Sequence, residues 1–354
     1  MNASASIRRA YVRASVMHMQ PPVEAMPPIP PLASRPANED KLKQFKPVNH
    51  LQHRENCHRE RVASATHYDV TTDRDLDRAY IDNSYLKSGS FMDFDEDESF
   101  SSRFKKMFTV FPYRDPIWLV AVVFAMGSLD LVINAFFDLL PRTVPETEFE
   151  TEETVAVPAT VLIGSIFFFG AGIFDTFGAL NADRGTLETS KEDLGSVKYK
   201  PALLGSPEFA WFPSRKVFLD LTMTNLAFQA GLIVLFGGII FMFAGIVDFP
   251  GIVSEESPFF DAIVFGPQVI HGFLFFIANS MLVISEQEKW WIPKVRDADW
   301  QGAFLNAVGG FWFMLAGFFL FQEEEVVAAR AAMVGSWAFL VGSIIRWYGV
   351  MELY

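Results

Sequence analysis

Residues 226–247 read LAFQAGLIVLFGGIIFMFAGIV, a run that contains no charged side chain. A transmembrane helix needs about 20 apolar residues, because each residue rises about 1.5 Å and the hydrocarbon layer is ~30 Å thick. A strand or loop in this run would leave its backbone N–H and C=O groups without partners in lipid, so the run must be helical. The stretch therefore predicts an integral membrane protein of the all-α class.

Further apolar runs of similar length lie on either side of this one. Together they predict six transmembrane helices, at residues 117–140, 158–180, 226–247, 262–285, 302–321 and 331–350. We expect these spans to form one transmembrane domain over residues 115–354. Residues 217–225, just before the third span, predict either an interfacial turn or a tilted extension of that helix.

The third span is repeated in the fifth. Residues 237–245 read GGIIFMFAG and residues 309–317 read GGFWFMLAG, so six of nine positions are identical. The even spans carry pairs of small residues seven or eight positions apart, which places each pair on one helix face. This pattern predicts three parallel helical-hairpin repeats. Small residues let helices approach closely in lipid, so we expect helix packing at Gly164, Gly172, Gly237, Gly238, Gly309, Gly310, Gly335 and Gly342.

Positive charge is distributed unequally between the two sides of the predicted membrane domain. Fourteen Lys and Arg residues fall in the segments of one side, against two on the other. Cytoplasmic loops carry the excess of Lys and Arg in membrane proteins. We therefore expect both termini in the cytosol, or in the equivalent compartment if the chain is imported into an organelle.

Residues 1–114 predict a disordered tail, because proline pairs interrupt them and their apolar residues are too scattered to form a core. Residues 1–23 contain Arg8, Arg9 and Arg13 and no acidic residue. That composition fits either an organellar transit peptide or an ordinary basic terminus. The tail also contains His50, His53, Cys57, His58 and His67. Their spacing matches no standard metal site, so we predict no bound metal.

Several classes of function are disfavoured. The formal net charge of the 354-residue chain is -13, and binding to nucleic acid requires clustered Lys and Arg. The P-loop, GxGxxG, HExxH and GxSxG motifs are absent from the sequence, and each of those motifs supports a particular chemistry. We predict that the chain is not an enzyme and that it carries no cofactor.

Residues 335–346, which read GSWAFLVGSIIR, resemble the YrhK-like family of small two-helix membrane proteins. The stretch from Lys289 to Tyr348 looks like multi-span eukaryotic membrane proteins that carry the same unit. The likeness covers the membrane part and is strongest after Trp290. It implies a two-helix fold unit and supplies no catalytic residues.

Polar side chains at membrane depth are the candidates for function, because they are costly there. Asp130, Asn134, His271 and Asn279 are predicted to lie near one layer, together with Asn306. One interpretation is a path for protons or cations in which His271 titrates and Asp130 is its partner. The other is a set of interhelical hydrogen bonds that fixes the packing.

Asp175 and Arg346 occupy the same position in their repeats, eleven residues after Gly164 and Gly335. If the hairpins are arranged alike, the two charges lie at one depth and form a structural ion pair. The alternative is that each side chain reaches separately to the water at the end of its helix.

Two functions follow from these features. The first is a non-enzymatic structural or organising component in the lipid bilayer, which self-associates through its Gly and Ser faces and keeps Asp130 and His271 dry. The alternative is a transporter or channel for protons or for an unidentified small solute. It would need a water-filled cavity at the depth of Asp130, His271 and Asn279.

Overall fold

The structure is a computed structural model that describes residues 3–19, 100–189, 197–254, 256–287 and 289–354. The described chain is mainly helical. Its helices are α1 (Ala3–Met19), α2 (Phe100–Thr109), α3 (Pro116–Thr143), α4 (Val157–Leu180), α5 (Arg215–Thr224), α6 (Leu226–Val247), α7 (Phe260–Ser285), α8 (Ala298–Leu320) and α9 (Glu325–Val350). Two short strands, β1 (Thr186–Thr189) and β2 (Val197–Lys200), pair antiparallel after α4.

Six of these helices are long and apolar enough to cross a membrane, namely α3, α4 and α6 to α9. They confirm the predicted all-α class and the six spans. α8 begins at Ala298, before the predicted residue 302, because the Asp297 carboxylate accepts a hydrogen bond from the N–H of Trp300 at 2.9 Å. Residues 217–225 do not extend the third span. The separate helix α5 covers most of them, and the Asn225 side chain caps α6 by accepting from the N–H of Phe228.

The six spans form a closed ring. Each span packs against the next in chain order, and α9 returns to pack against α3. One phenylalanine from each span points to the axis of this ring, and all six belong to one buried cluster. These residues, which we call the aromatic core, are Phe124, Phe168, Phe241, Phe275, Phe313 and Phe339.

Most rings of the aromatic core meet edge to face or tilted, as the ring quadrupole favours. The ring of Phe168 lies 5.6 Å from that of Phe339 and 5.5 Å from that of Phe275, centroid to centroid. Phe168 therefore contacts α7 and α9, neither of which is next to α4 in the ring of spans. The axis of the bundle is filled by side chains at this level.

The eight predicted packing glycines all lie against a neighbouring span. A Cβ on Gly310 would meet the backbone nitrogen of Phe276 at 2.5 Å, and one on Gly238 would meet the Cα of Phe169 at 3.0 Å. At such positions two backbones touch, and only glycine fits. Gly309 and Gly335 each lie against the other's backbone carbonyl oxygen and also against a ring of the aromatic core. The three-hairpin repeat itself stays a prediction.

Two helices lie within residues 1–114, the range for which the sequence predicts a disordered tail. α1 is a helix packed against α4 and α6, and it includes most of the segment 1–23. α2 is a helix that buries Met107 against Trp118 and Met351. The average composition of residues 1–114 is polar and so does not reveal these two short helices. Their packing partners belong to the membrane domain. Residues 20–99, with the five His and Cys residues, lie outside the described ranges.

The backbone contact at Gly310 generates a test with a matched control. We expect Gly310→Ala to lower the free energy of unfolding in detergent by about 1–3 kcal/mol, because the new methyl group overpacks the interface of α7 and α8. Gly266→Ala is the control, because a Cβ at Gly266 meets nothing within 4 Å. It should be neutral, or stabilising by up to about 1 kcal/mol through helix propensity. Equal effects of the two substitutions would contradict this packing.

Candidate functional site

The N-terminal helix α1 lies at the end of the ring where α3, α6 and α8 begin. We call this end the mouth and define it by the charged residues that the bundle places there. They are Asp115, Asp175, Glu286, Asp299 and Arg346, and all except Glu286 are buried. α1 brings Arg8 and Arg9 into the same place, and both of these are buried as well.

The first turn of α1 is held by the carboxylate of Asp175. The backbone N–H groups of Ala3 and Ser4 donate to it at 3.2 and 2.9 Å, and the Ser4 hydroxyl donates to it at 2.7 Å. The first N–H groups of a helix have no partner within the helix, and they form the positive end of its dipole. Asp175, which is 1% exposed, therefore caps α1 from a different helix.

Small residues on both sides make room for this contact. A Cβ on Gly178 would meet the Cβ of Ser4 at 2.8 Å, and one on Gly231 would meet the Cβ of Ala3 at 3.4 Å. A larger side chain at Gly178 would push α1 away from Asp175, whereas Gly231 lets α6 come into contact with Ala3. The bundle therefore has a seat shaped for the first turn of α1.

The two arginines of α1 reach two further carboxylates of the mouth. Arg8 Nη1 lies 2.5 Å from Asp115 Oδ2, and Arg9 forms an ion pair with Asp299. Arg9 also donates to the carbonyl oxygen of Gly349 at 3.0 Å. Arg8 thus connects α1 to the residue that caps α3, and Arg9 connects it to α8. The charges are buried, so each depends on its partner.

Ionisation of the mouth reflects burial and the neighbouring charges. Burial alone would lower the pKa of Arg9, but Asp299, Glu352 and Glu286 outweigh it and raise the pKa of that guanidinium. Burial raises the pKa of the Glu286 carboxyl, and Asp299 adds to the effect. The hydroxyl of Ser6 on α1 donates to Glu286 and opposes this rise. Neighbouring carboxylates thus raise the pKa of both groups.

Asp175 and Arg346 do not form the ion pair that their repeat positions predicted. The carboxylate of Asp175 is bonded to the first turn of α1, which sequence reasoning had placed in a disordered tail. Arg346 is 2% exposed, and its Nε and Nη1 atoms have no hydrogen-bond partner within the described part of the chain. Asp299, Glu286 and Asp175 are the carboxylates near it.

The predicted polar layer is divided among separate surroundings. His271 is 1% exposed, and its ring stacks on that of Phe241 at 4.3 Å. Its Nδ1 lies 3.0 Å from the carbonyl oxygen of Pro267, which can only accept, so Nδ1 carries the proton. Asp130 lies against Gly164, where a Cβ would meet Asp130 Oδ2 at 2.9 Å. No hydrogen bond or ion pair between described residues joins Asp130 to His271.

Two of the three asparagines near this layer make local contacts, whereas neither side-chain polar atom of Asn306 has a hydrogen-bond partner among the described residues. Asn134 Nδ2 donates to the Val157 carbonyl and to the Thr160 hydroxyl, which ties α3 to α4. Asn279 Nδ2 donates to the Phe275 carbonyl oxygen at 2.8 Å, one turn earlier in its own helix. These contacts fit the packing interpretation of the layer. They form no continuous chain of polar groups.

The functional residues that sequence reasoning missed are those of α1. From the sequence alone, Arg8 and Arg9 indicate either a targeting segment or an ordinary basic terminus. The available signal was complementarity, since a basic segment precedes a domain that carries acidic residues at one end of its spans. Among the described residues, no three His, Cys, Asp or Glu side chains converge closely enough to hold a metal ion.

The pair of Arg9 and Asp299 generates a test by charge exchange. Removing one member of a buried pair costs about 3–5 kcal/mol, so we expect Arg9→Asp to speed hydrogen exchange of the α1 amides at least about 100-fold. Adding Asp299→Arg should restore most of the protection. Arg142→Gln, at the opposite end of α3, is the control and should leave α1 protected. Fast exchange in the double variant would contradict direct pairing.

Comparison with protein-family models, with curated proteins and with solved structures finds no match to this chain.

Proposed function

We propose that the chain is a non-enzymatic structural or organising component of a membrane, built on a ring of spans that is sealed at its centre. The aromatic core is the observation that carries this proposal. Six phenyl rings from six different helices fill the axis, and His271 packs among three of them. A conduit for solutes or protons needs a wet or polar path at this depth.

Packing of this kind resists the entry of water. Protein interiors are as dense as organic crystals, and aromatic pairs add specific edge-to-face contacts. His271 satisfies its Nδ1 proton within its own helix. Asp130 and Asn134 lie at the contact of α3 and α4. The groups that a proton path would use are therefore divided among packing contacts.

The proposal includes the orientation of the chain in the membrane. Six spans return the chain to the end where it started, so α1 and the C-terminus lie at the mouth. The excess of Lys and Arg at that end supports a cytosolic mouth, or the equivalent side of an organelle.

Kinship with YrhK-like proteins stays a prediction. The packing glycines are used within one chain, so self-association would need other surfaces.

A transporter or channel is the second candidate function, and one specific observation favours it. The mouth is a polar region inside the ring of spans, and a separate helix occupies it. Inward-facing vestibules of transporters are polar regions of this kind, built between spans. The two candidates differ in whether water reaches the aromatic core.

Accessibility of cysteines at the midplane separates the two functions. In a Cys57→Ser background we would introduce Ala278→Cys or Asn279→Cys, both next to the aromatic core and both fully buried. An impermeant charged thiol reagent should label neither position, because the core excludes water. Ile270→Cys, which faces lipid, is the apolar control, and Glu323→Cys, in an exposed turn, is the control for full labelling.

Rapid labelling at residues 278 and 279, at a rate near that of residue 323 and well above that of residue 270, would overturn the sealed centre. That result would move the function to a transporter or channel. Each variant would first be shown by circular dichroism and gel filtration to be folded, so that exposure through unfolding is not counted as a water path.

A further inference from the structure

The charge of the mouth depends on α1. Without α1, the bundle places four carboxylates there, from Asp115, Asp175, Glu286 and Asp299, against the single guanidinium of Arg346. Arg8 and Arg9 bring the mouth close to neutrality. Buried charges without partners cost several kcal/mol each. An empty mouth would therefore fill with water and attract cations.

α1 presents positive groups and hydrogen-bond donors to this site. Asp115 takes the guanidinium of Arg8, and Asp299 takes that of Arg9. Asp175 takes the N–H groups at the positive end of the helix dipole. α1 therefore binds to the mouth as a cationic ligand would.

Arg346 is independent evidence that the mouth can bind chemical groups that α1 does not provide. Its side chain is almost fully buried, and its Nε and Nη1 lack a hydrogen-bond partner among the described residues. A guanidinium with free donors binds carboxylates well, often through two parallel hydrogen bonds. The mouth thus combines three buried carboxylates for a cation with one guanidinium for an anion.

From this combination we propose that the mouth is a binding site for a basic amino acid, which α1 occupies as a tethered and displaceable ligand. The guanidinium or ammonium group of the ligand takes the place of an α1 arginine at Asp299. Its carboxylate is held by Arg346. The carboxylates of the mouth do not converge as metal ligands do, so an organic cation fits them better than a metal ion.

Displacement of α1 is compatible with the chain. Residues 20–99 separate α1 from α2, and eighty residues can reach far beyond the width of the bundle. The contacts described between α1 and the charged groups of the mouth are hydrogen bonds and ion pairs, which a charged ligand can replace. Binding at the mouth does not require a path through the aromatic core, so this proposal is independent of the proposed function.

The test measures binding of L-arginine to the full-length chain in detergent or nanodiscs by equilibrium dialysis. Arg8→Gln with Arg9→Gln weakens α1 as a competitor, and we expect this variant to bind L-arginine at least about tenfold more tightly than the unmodified chain does. Adding Asp299→Asn should abolish the gain. Arg142→Gln, far from the mouth, should leave binding unchanged.

Agmatine tests the proposed role of Arg346, because agmatine carries the guanidinium group of arginine but lacks its carboxylate. The variant chain should bind agmatine at least about tenfold more weakly than L-arginine. Arg346→Gln should remove that preference. Equal binding of both probes before this substitution would overturn the role of Arg346.

A cysteine reporter shows whether α1 has left the mouth. Ala227 is buried in the same cluster as Ala3, one turn before Gly231 on α6. Ala227→Cys, with Cys57→Ser, should be protected in the unmodified chain and labelled when both arginines are replaced by Glu. Release of α1 without any binding of L-arginine would overturn the proposal. Continued protection after the charge reversal would overturn it too, because α1 would then not be displaceable.

Discussion

Buried charge is the constraint on which the arrangement of this protein depends. The ring of spans brings Asp115, Asp175 and Asp299 to one end, where each is almost or fully buried. Carboxylates in such a place need partners, because desolvation of an unpaired charge exceeds what packing returns. The spans supply one guanidinium, and the rest comes from α1. The position of a helix at the start of the chain is thus set by residues 100 to 300 positions away.

The packing of the six spans depends on a second feature, the aromatic core. Burial of apolar surface between helices gains little free energy in a bilayer, because the lipid tails are apolar as well. Association of the spans therefore depends on close packing. Glycines at the helix contacts bring neighbouring backbones together, and the six phenylalanines then meet on the axis. The result is a bundle with two distinct zones. The aromatic core separates the polar mouth from the opposite end of the bundle.

The spans could be predicted from sequence, because the thickness of a bilayer sets a length that few other structures need. The packing glycines could be selected from their spacing alone. The environment of His271 could not be predicted, because counting residues along a span gives the depth of a residue in the membrane but not the direction of its side chain. α1 was missed for a related reason. Composition describes a segment by itself, whereas α1 is ordered by Asp175, Gly178 and Gly231, which follow it by more than 170 residues.

The seat of α1 in the mouth is the central claim, and a disulfide between α1 and α6 tests it most directly. The Cβ positions of residues 3 and 231 are 3.4 Å apart, close to the ~3.8 Å of natural disulfides. With Cys57→Ser, the pair Ala3→Cys and Gly231→Cys should oxidise to an intrachain disulfide in most molecules. The pair Ala3→Cys and Gly251→Cys, with the second cysteine beyond the opposite end of α6, should not. Equal and slow oxidation of both pairs would contradict the seat and the account built on it.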